Sequence, residues 1–226
     1  MIDIAVVDYG MGNLRSVAKA LEHVAPAKSI VVTDDPEAIA SAGRVVFPGQ
    51  GAMPDCMREM DARGLRTPLV QAARSKPFLG LCIGLQMLFE ASEEGDTPGL
   101  GILPGRVVRF PALMADPAGN KLKVPHMGWN QVYQAAPHPM WQGIADGSRF
   151  YFVHSYFVNT SDPALIAGTS NYPTSFTCAI ARNNIFAVQF HPEKSQSAGL
   201  QLLSNFVSWN GTKRATQAGA VPATNV

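Results

Sequence analysis

The first ninety residues of this chain alternate short, wholly apolar runs with stretches in which apolar residues recur every three or four positions. The apolar run 4–7 is typical of a strand covered on both faces, because no position in it is suited to face water. After a turn at 10–13, apolar residues repeat at helical spacing: Leu14, Val17, Ala18, Leu21 and Val24. Strands that alternate with helices predict a parallel sheet with right-handed crossovers, and therefore an α/β fold.

The remaining pattern extends this prediction along the chain. Further strands are predicted at 29–32, 45–47 and 78–81, and helices at 36–42, 53–60, 65–74 and around Leu85, Leu88 and Phe89. From residue 105 the predicted strands are shorter and separated by Pro, Gly and Asn: 106–110, 121–124, 129–133 and 150–157. A hairpin at 176–181 and 185–190 and a helix at 195–209 complete a single domain, 1–210, with a mixed central sheet. Residues 211–226 have no hydrophobic period and are predicted to form a disordered tail.

Composition excludes several classes of protein. The chain has 226 residues, of which 46% are hydrophobic and 15% charged, so a sizeable core is expected rather than global disorder. A formal charge of +1 lacks the basic excess of a sequence-independent nucleic-acid binder. No apolar run approaches the ~18 residues of a membrane span, and the acidic N-terminus does not resemble a signal peptide. We therefore predict a cytoplasmic protein without nucleic-acid or membrane partners.

Motifs for metals, nucleotides and disulfides are missing from the sequence. Three cysteines, Cys56, Cys82 and Cys178, form no C-x-x-C pair and leave an odd thiol. There is no H-E-x-x-H pattern, and the glycines at 10 and 12 lack the third glycine of a dinucleotide fingerprint. We predict no metal site and no cofactor.

The strongest local signal for chemistry is the Gly-Leu-Cys-Ile-Gly motif at 80–84, between a predicted buried strand and a helix. It matches the nucleophile elbow, in which a sharp turn exposes the nucleophile and flanking glycines leave room for neighbouring elements. A sulfur at a helix N-terminus is favoured as thiolate, and the amide of Ile83 is suited to stabilise an oxyanion. The alternative is that Cys82 is a structural thiol.

A thiol nucleophile needs a base, and the His-Pro-Glu segment at 191–193 provides a candidate. In an extended segment, residues two apart project to the same side, so Glu193 can orient one ring nitrogen of His191 while the other faces the thiol. The alternative is a surface turn in which the two residues are unrelated.

The Pro-Gly-Gln-Gly loop at 48–51 follows a predicted strand and is a candidate source of a second oxyanion amide, the alternative being a simple strand-to-helix turn. Of the other histidines, His23 is predicted to be on the surface and His138 in a loop. His154 is either a pocket residue or a core side chain.

Taken in this order on an α/β chain, these motifs resemble those of the class I (triad) glutamine amidotransferases, which have a three-layer, flavodoxin-like fold. The segments 9–14, 80–86, 125–130 and 151–156 are most similar to the glutaminase subunits of imidazole glycerol phosphate synthase. The resemblance extends from residue 1 to about 209. It implies that L-glutamine is hydrolysed to glutamate and ammonia for histidine biosynthesis.

The resemblance also implies roles for individual residues. Cys82 is the nucleophile, His191 the acid and base, and Glu193 the residue that orients His191. The oxyanion hole is formed by Ile83 and by the loop residues Gln50 and Gly51, with the Gln50 amide turning inward after a loop flip. The substrate-binding residues implied by the family are Gly49, Gly51, Gln86, Glu94, Ser155 and Tyr156.

A partner is implied as well, because ammonia released into water becomes ammonium, which is not a nucleophile. The family passes ammonia to a (β/α)8-barrel cyclase subunit in a heterodimer, and its docking face includes the residues that match Met127, Trp129, Tyr151 and Lys194. An aromatic anchor such as Trp129 is typical of interface centres, although a half-buried core tryptophan is the alternative.

Two other functions remain open at this point. One is a sibling amidotransferase that feeds anthranilate, aminodeoxychorismate or pyridoxal phosphate synthesis. The other is a non-catalytic binding module that keeps the fold for partner contact, although an intact Cys82, His191 and Glu193 argue against it.

Overall fold

A computed structural model describes residues 2–116 and 118–212 of the chain. The strands are β1 (Ile4–Val7), β2 (Ile30–Thr33), β3 (Arg44–Phe47), β4 (Phe78–Leu81), β5 (Phe89–Ser92), β6 (Thr97–Pro98), β7 (Leu103–Arg109), β8 (Met114–Ala115), β9 (Lys121–Leu122), β10 (His126–Gln131), β11 (Tyr133–Gln134), β12 (Arg149–His154), β13 (Tyr156–Thr160), β14 (Ile166–Asn171), β15 (Ser175–Arg182) and β16 (Ile185–Val188). The helices are α1 (Leu14–Val24), α2 (Pro36–Ser41), α3 (Met53–Ala62), α4 (Arg66–Ser75), α5 (Ile83–Gln86) and α6 (Gln196–Ser208). Short 3-10 turns lie at Glu94–Asp96, Pro139–Trp141, Pro163–Leu165 and Pro192–Lys194.

One large mixed sheet forms the centre of the molecule, with strand order β2-β1-β3-β4-β16-β15-β13-β7-β5-β6. Its first five strands run parallel, and β15 then pairs antiparallel with β16. On the other side of β15, β14 pairs antiparallel and carries β11 with it. The predicted α/β fold with a mixed sheet is therefore confirmed.

Two hydrophobic clusters cover the two faces of this sheet, and the strand period of two assigns residues to them. In β1, Ala5 and Val7 belong to the cluster that contains α2, α3 and α4 residues, whereas Ile4 and Val6 belong to the cluster formed with α1 and α6. Because both faces are covered, all four residues of β1 are buried, as are those of β4 and β16. The result is the predicted three-layer architecture.

The parallel strands bring the sequence motifs to one edge of the sheet. The turn at 8–13 follows β1, the glycine loop follows β3, Cys82 follows β4, and residues 189–193 follow β16. The carboxyl ends of parallel strands are where open α/β sheets bind ligands. Since β4 lies between β3 and β16, Cys82 follows a central strand, as predicted.

The helix predicted around Leu85, Leu88 and Phe89 is wrong beyond its first turn. Helix α5 ends at Gln86, and Phe89 begins strand β5, which pairs parallel with β7. Backbone amides of Ile102 and Leu103 both donate to the carbonyl of Leu88, so the returning chain takes the hydrogen bonds that a longer helix would need. A single turn contributes little macrodipole, so the predicted dipole stabilisation of the thiolate is small here.

Two predicted strands are divided in the structure. The stretch 150–157 becomes β12 and β13, which belong to different sheets, with the break at Ser155, whose carbonyl accepts from the amide of Phe110. The stretch 129–133 becomes β10 and β11, interrupted where Val132 donates to the carbonyl of Ser148. The alternation of apolar and polar residues is the same before and after each break. The sequence pattern therefore does not predict that the chain passes from one sheet to another there.

A second, two-stranded sheet is formed by β10 and β12, which pair antiparallel from His126↔His154 to Gln131↔Arg149. The remaining predicted elements agree with the structure to within about three residues, while β5, β6, β8 and β14 were not predicted. The predicted tail, 211–226, lies outside the described residues from 213 onward.

Within the described ranges, no helix combines the length and apolar character needed to cross a bilayer. Over the same ranges, no group of three or more His, Cys, Asp or Glu side chains is arranged to hold a metal ion.

Candidate active site

Cys82 occupies a sharp turn between β4 and α5 with a backbone conformation that L-residues rarely adopt. Its φ is 55° and its ψ −109°, and its amide donates to the carbonyl of Val188 in the neighbouring strand at 2.8 Å. A non-glycine residue held at positive φ in a packed turn is a strained conformation of the kind found at functional sites. The elbow predicted from the sequence therefore has the expected geometry.

The two glycines of the elbow are required by close packing. A Cβ on Gly84 would collide with the carbonyl group of Phe47 in β3, and one on Gly80 would lie 2.9 Å from Cβ of Ala187 in β16. Any side chain at these positions would push Cys82 away from its neighbouring strands.

His191 and Glu193 form a buried pair at the end of β16. Nδ1 of His191 lies 2.9 Å from Oε1 of Glu193, and their side chains are only 7% and 2% exposed. The carboxylate is an acceptor, so Nδ1 carries the proton and Nε2 is the nitrogen available for acid–base chemistry. The predicted orienting contact is thus present.

The other ring nitrogen of His191 is beside the Cys82 thiol. Nε2 makes no hydrogen bond of standard geometry with the described residues. Burial lowers the pKa of His191, but the neighbouring Cys82 sulfur, together with the Glu193 carboxylate, outweighs it and raises the pKa to about 10. A raised pKa makes the His191 ring a good acceptor for the proton of a neighbouring thiol, which is the role of the base beside a cysteine nucleophile.

A cavity of about 350 Å³ opens above the thiol. Most of the residues predicted for the site line it: Gln50, Gly51, Cys82, Ile83, Gln86, Glu94, Ser155, Tyr156 and His191. Gly49 and Glu193 lie behind His191, beside a much smaller pocket that Asn13 and Pro48 also line. Pro125, Val153 and His154 complete the wall of the larger cavity, and the first two were not predicted.

The glycine loop is held against the elbow by side chains on two sides. The hydroxyl of Tyr9 donates to the carbonyl of Pro48 at 2.9 Å, and the thiol of Cys56 donates to that of Gln50 at 3.6 Å. A Cβ on Gly49 would lie 2.8 Å from Cβ of Ile83 and would collide with the Tyr9 hydroxyl. Glycine at 49 therefore permits the loop to approach the predicted oxyanion donor Ile83.

Two glutamine side chains, Gln86 and Gln189, connect the cavity wall with the sulfur. Gln86 Nε2 donates to the carbonyl of Tyr156 at 3.1 Å and to Oε1 of Gln189 at 2.9 Å. Gln189 Nε2 donates to the sulfur of Cys82 at 3.6 Å. Gln189 was not among the predicted site residues, although it is a lone polar residue inside the apolar run 185–190.

A pair of neutral histidines supports the far wall of the cavity. His154 Nδ1 lies 2.8 Å from the carbonyl of Tyr156, which can only accept, so Nδ1 is the protonated nitrogen. His154 Nε2 is then the acceptor for Nδ1 of His126 at 2.9 Å. Burial lowers the pKa of His126 to about 4 and that of His154 to about 3, and both rings are therefore neutral at physiological pH. Both alternatives given for His154 hold: its side chain is buried, and it also lines the cavity.

The remaining two histidines differ in exposure. His23 is exposed on α1, as predicted. His138 lies in a loop, as predicted, directly before the 3-10 turn Pro139–Trp141, and it is buried against Phe186 and Trp209.

The residues predicted for a docking face form one patch on the β10–β12 sheet and the 3-10 turn Pro192–Lys194. Met127 is 62% and Trp129 42% exposed, the ring of Trp129 packs edge-on against that of Tyr151, and Lys194 lies over the Tyr151 ring. Trp129 is thus not the core residue of the alternative interpretation. The patch is attached to the active site, because the amide of His191 donates to the carbonyl of Tyr151 at 2.9 Å.

Comparison with known proteins agrees with this geometry. The sequence profile described as Glutamine amidotransferase class-I matches residues 5–209. The chain belongs to the class I glutamine amidotransferase family. It is therefore an enzyme of the glutamine amidotransferase type, and the binding-module alternative is set aside.

Relatives within this family carry a more specific description. The chain is 71% identical over 216 residues to the imidazole glycerol phosphate synthase subunit HisH of Thiobacillus denitrificans, covering 95% of both chains. It is 70% identical to the protein of the same name from Aromatoleum aromaticum, covering 92% of this chain and 99% of that one.

Solved structures of glutamine amidotransferases share the fold at low sequence identity. One crystal structure of a glutamine amidotransferase superimposes with a TM-score of 0.67 at 14% identity, covering 91% of this chain and 99% of that one. A glutamine amidotransferase from Thermotoga maritima gives a TM-score of 0.62 at 14% identity, covering 92% and 96%.

Proposed function

We propose that this amidotransferase is the glutaminase subunit of an imidazole glycerol phosphate synthase, which hydrolyses L-glutamine to glutamate and ammonia. The observation that carries the proposal is the strained Cys82 beside the His191–Glu193 pair, at the base of a cavity of about 350 Å³. Identity of 58 to 71% with six proteins named as this subunit supports the specific assignment.

In the first half of the reaction, the sulfur of Cys82 attacks the side-chain amide carbon of glutamine while His191 holds the thiol proton at Nε2. The tetrahedral intermediate collapses, the carbon–nitrogen bond breaks, and the same proton passes to the leaving nitrogen, which departs as ammonia. Glu193 stabilises the imidazolium that exists in between, because its carboxylate is buried against Nδ1.

In the second half, a water molecule attacks the glutamyl thioester. His191 accepts a proton from the water, the carbon–sulfur bond breaks, and the electron pair returns to the sulfur. Glutamate leaves and the thiolate–imidazolium pair is regenerated.

The oxyanion that forms in both halves needs hydrogen-bond donors aimed at it. Ile83 is the first residue of α5, so its amide has no acceptor within the helix and is suited to this role. We assign the second donor to the loop of Gln50 and Gly51, which lines the same cavity. Gly51 has a φ of 109° and Gly49 is closely packed, so the loop conformation depends on both glycines.

The polar wall of the cavity is suited to the amino-acid head of glutamine. Gln86 Oε1 is buried without a hydrogen-bond partner among the described residues, and it is an acceptor suited to an α-ammonium group. Glu94 lines the same cavity while its Oε2 accepts from the amide of Met53 at 2.9 Å, which fixes the carboxylate at the start of α3. The backbone around Ser155 and Tyr156 closes the pocket.

The ammonia acceptor in this proposal is a (β/α)8-barrel cyclase subunit that docks on the patch of Met127, Trp129, Tyr151 and Lys194. Exposed aromatic and sulfur side chains of this kind are enriched in interfaces. Direct transfer keeps ammonia from being protonated in water. The cyclase uses it to make imidazole glycerol phosphate and an aminoimidazole carboxamide ribotide in histidine biosynthesis, and we place the complex in the cytoplasm.

Docking also provides a means of control. Hydrolysis without an acceptor would waste glutamine, so we propose that the partner and its ligand favour a flipped 48–51 loop that completes the oxyanion hole. The free subunit is then nearly inactive.

Co-purification and activity measurements test the whole proposal. The chain, expressed with its candidate cyclase, should form a heterodimer whose glutaminase turnover rises when the cyclase ligand is bound. Capture of a chorismate-utilising or pyridoxal phosphate synthase subunit instead would favour a sibling amidotransferase. Equal turnover with and without partner and ligand would overturn the gating mechanism while leaving the hydrolytic function intact.

A further inference from the structure

Gln189 touches the reacting atom of the site without belonging to the triad. Its side chain is fully buried, and Nε2 donates to the sulfur of Cys82 at 3.6 Å, a normal length for a hydrogen bond to sulfur. It reaches the sulfur from the position directly after strand β16, which pairs with β4 on the opposite side from the strand that the glycine loop follows. The sulfur therefore has two neighbours from this segment, the His191 ring and the Gln189 amide group.

The orientation of the Gln189 amide is fixed by its neighbours. The carbonyl of Tyr156 can only accept, so the Gln86 atom 3.1 Å away must be the NH2 group. That NH2 group also lies 2.9 Å from the Gln189 side chain, where only an oxygen can accept from it. The remaining end of the Gln189 amide is its NH2 group, and it faces the sulfur. A flip of either amide would bring two donors or two acceptors together.

We propose that Gln189 is a further catalytic residue, whose NH2 group stabilises negative charge on the Cys82 sulfur, and that Gln86 positions it. The proposal rests on the glutaminase function above and deepens it. Charge resides on the sulfur at two stages, before attack on glutamine and when the carbon–sulfur bond of the thioester breaks. Gln189 gains and loses no proton or bond at either stage, and acts only as a hydrogen-bond donor to the anion.

The hydrogen-bonded pair of Gln86 and Gln189 also connects the substrate pocket with the nucleophile. Gln86 contacts Gln189 through Nε2, while its buried Oε1 has no partner among the described residues and belongs to a side chain that lines the cavity. The same residue is therefore placed to bind the substrate and to hold the donor against the sulfur.

Alkylation of Cys82 by iodoacetamide across pH tests the proposal without requiring turnover. The full-length chain is compared with Gln189→Met, which keeps the side-chain volume but removes the donor, and with Gln189→Glu. When ionised, the glutamate variant still offers an oxygen to Gln86 but presents an acceptor to the sulfur, whereas a protonated carboxyl would still donate to it. Mass spectrometry assigns the adduct, with Cys82→Ser as the blank for the buried Cys56 and Cys178.

We expect Gln189→Met to lower the alkylation rate at pH 7 about ten-fold and to move the midpoint of the rate–pH curve up by about one unit. At high pH its rate should converge with that of the unaltered chain, because the thiolate then forms without help. Gln189→Glu should be at least as slow at pH 7. Thermal melts identify a variant that does not fold, in which case the other carries the test.

Three outcomes would contradict the proposal. These are a Gln189→Glu variant that behaves like the unaltered chain although its carboxylate is ionised, a Gln189→Met rate–pH curve that coincides with that of the unaltered chain, and a Gln189→Met rate that falls equally at every pH. The first two exclude donation to the sulfur, and the third indicates a purely structural role. A failure of the unaltered chain to be alkylated at Cys82 would instead count against the glutaminase function itself.

Discussion

Nδ1 of His191 and Oε1 of Glu193 are 2.9 Å apart, although proline separates the two residues in sequence. Pro192 begins the 3-10 turn Pro192–Lys194, and the amide of Lys194 donates to the carbonyl of His191 at 3.0 Å. The turn folds the carboxylate back onto the ring, so the pair is local in sequence and rigid in structure. Its purpose in the proposed reaction is to hold one tautomer of His191 and to stabilise its cation.

Replacing Glu193 with glutamine tests this purpose. Glu193→Gln removes the buried negative charge but keeps the size of the side chain. We expect glutamine-dependent turnover of the complex to fall on the order of 10²–10⁴-fold, as when a triad carboxylate is neutralised. Steady-state kinetics with glutamine measure the loss. Turnover supplied with ammonium salt should stay unchanged, and a parallel loss there would show that the variant disturbs the complex instead.

Cys82→Ala is expected to abolish the glutaminase reaction, because Cys82 supplies the thiol of the proposed reaction and no second cysteine among the described residues lines the cavity. Product formation by the complex from added ammonia should persist. The measurement is the ratio of glutamine-dependent to ammonia-dependent rates. Cys178→Ala removes a fully buried thiol that does not line the cavity; it is the matched control and should keep that ratio. Residual glutamine-dependent activity in Cys82→Ala would remove the thiol from the mechanism.

Ser195 is a candidate positioning residue for His191. Its buried hydroxyl donates to the carbonyl of His191 at 2.6 Å and accepts from the amide of Tyr151 at 2.9 Å. Ser195→Ala leaves both backbone groups without this partner, and we expect kcat for glutamine to fall about ten-fold, the equivalent of ~1.4 kcal/mol. Ser208→Ala removes an exposed hydroxyl at the end of the same helix α6 and should have no effect. Equal kcat values for the two variants would contradict the assignment.

Stability should decline as pH falls, because of the buried histidine pair. The folded-state pKa values of His126 and His154 are lowered by burial to about 4 and about 3, from an ordinary value of 6.5. The unfolded chain therefore binds more protons below pH 6.5, and the stabilisation present above that pH is lost as pH falls towards 4.

Urea unfolding between pH 7.5 and 4.5 measures this decline. His126→Gln should be less stable at pH 7.5 but should show a shallower decline towards pH 4.5. His23→Gln, on the exposed face of α1, should follow the unaltered chain at every pH. A His126→Gln curve parallel to that of the unaltered chain would mean that this pair does not govern the acid response.

Partner binding should depend on the patch of Met127, Trp129, Tyr151 and Lys194. Trp129→Ala should weaken binding of the cyclase by at least about ten-fold, because truncated interface tryptophans commonly cost more than about 1 kcal/mol. Val32→Ala is a matched control, since Val32 is 40% exposed on the edge strand β2 at the far end of the main sheet. Titration calorimetry measures both. Equal affinities of the two variants for the cyclase would indicate that the docking face lies outside the β10–β12 sheet.

Local patterns in the sequence were enough to predict strands β1 to β4, helices α1 to α4 and the local shape of the nucleophile turn. Those features depend on neighbouring residues only: apolar periodicity assigns residues 4–7 to a doubly covered strand, and two glycines around Cys82 permit its turn. His191 and Glu193 were paired from their spacing for the same reason.

Other features depend on residues that are distant in the chain and meet only in the folded protein. Helix α5 stops after one turn because residues 99–103 return to take the carbonyls that follow it, and the stretch 150–157 divides because its halves find partners in different sheets. Gln189 looked like an interruption in an apolar strand until residue 86 and the carbonyl of residue 156 were brought beside it. Hydrogen bonds between residues 70 to 107 positions apart have no periodicity, so no local pattern reports them.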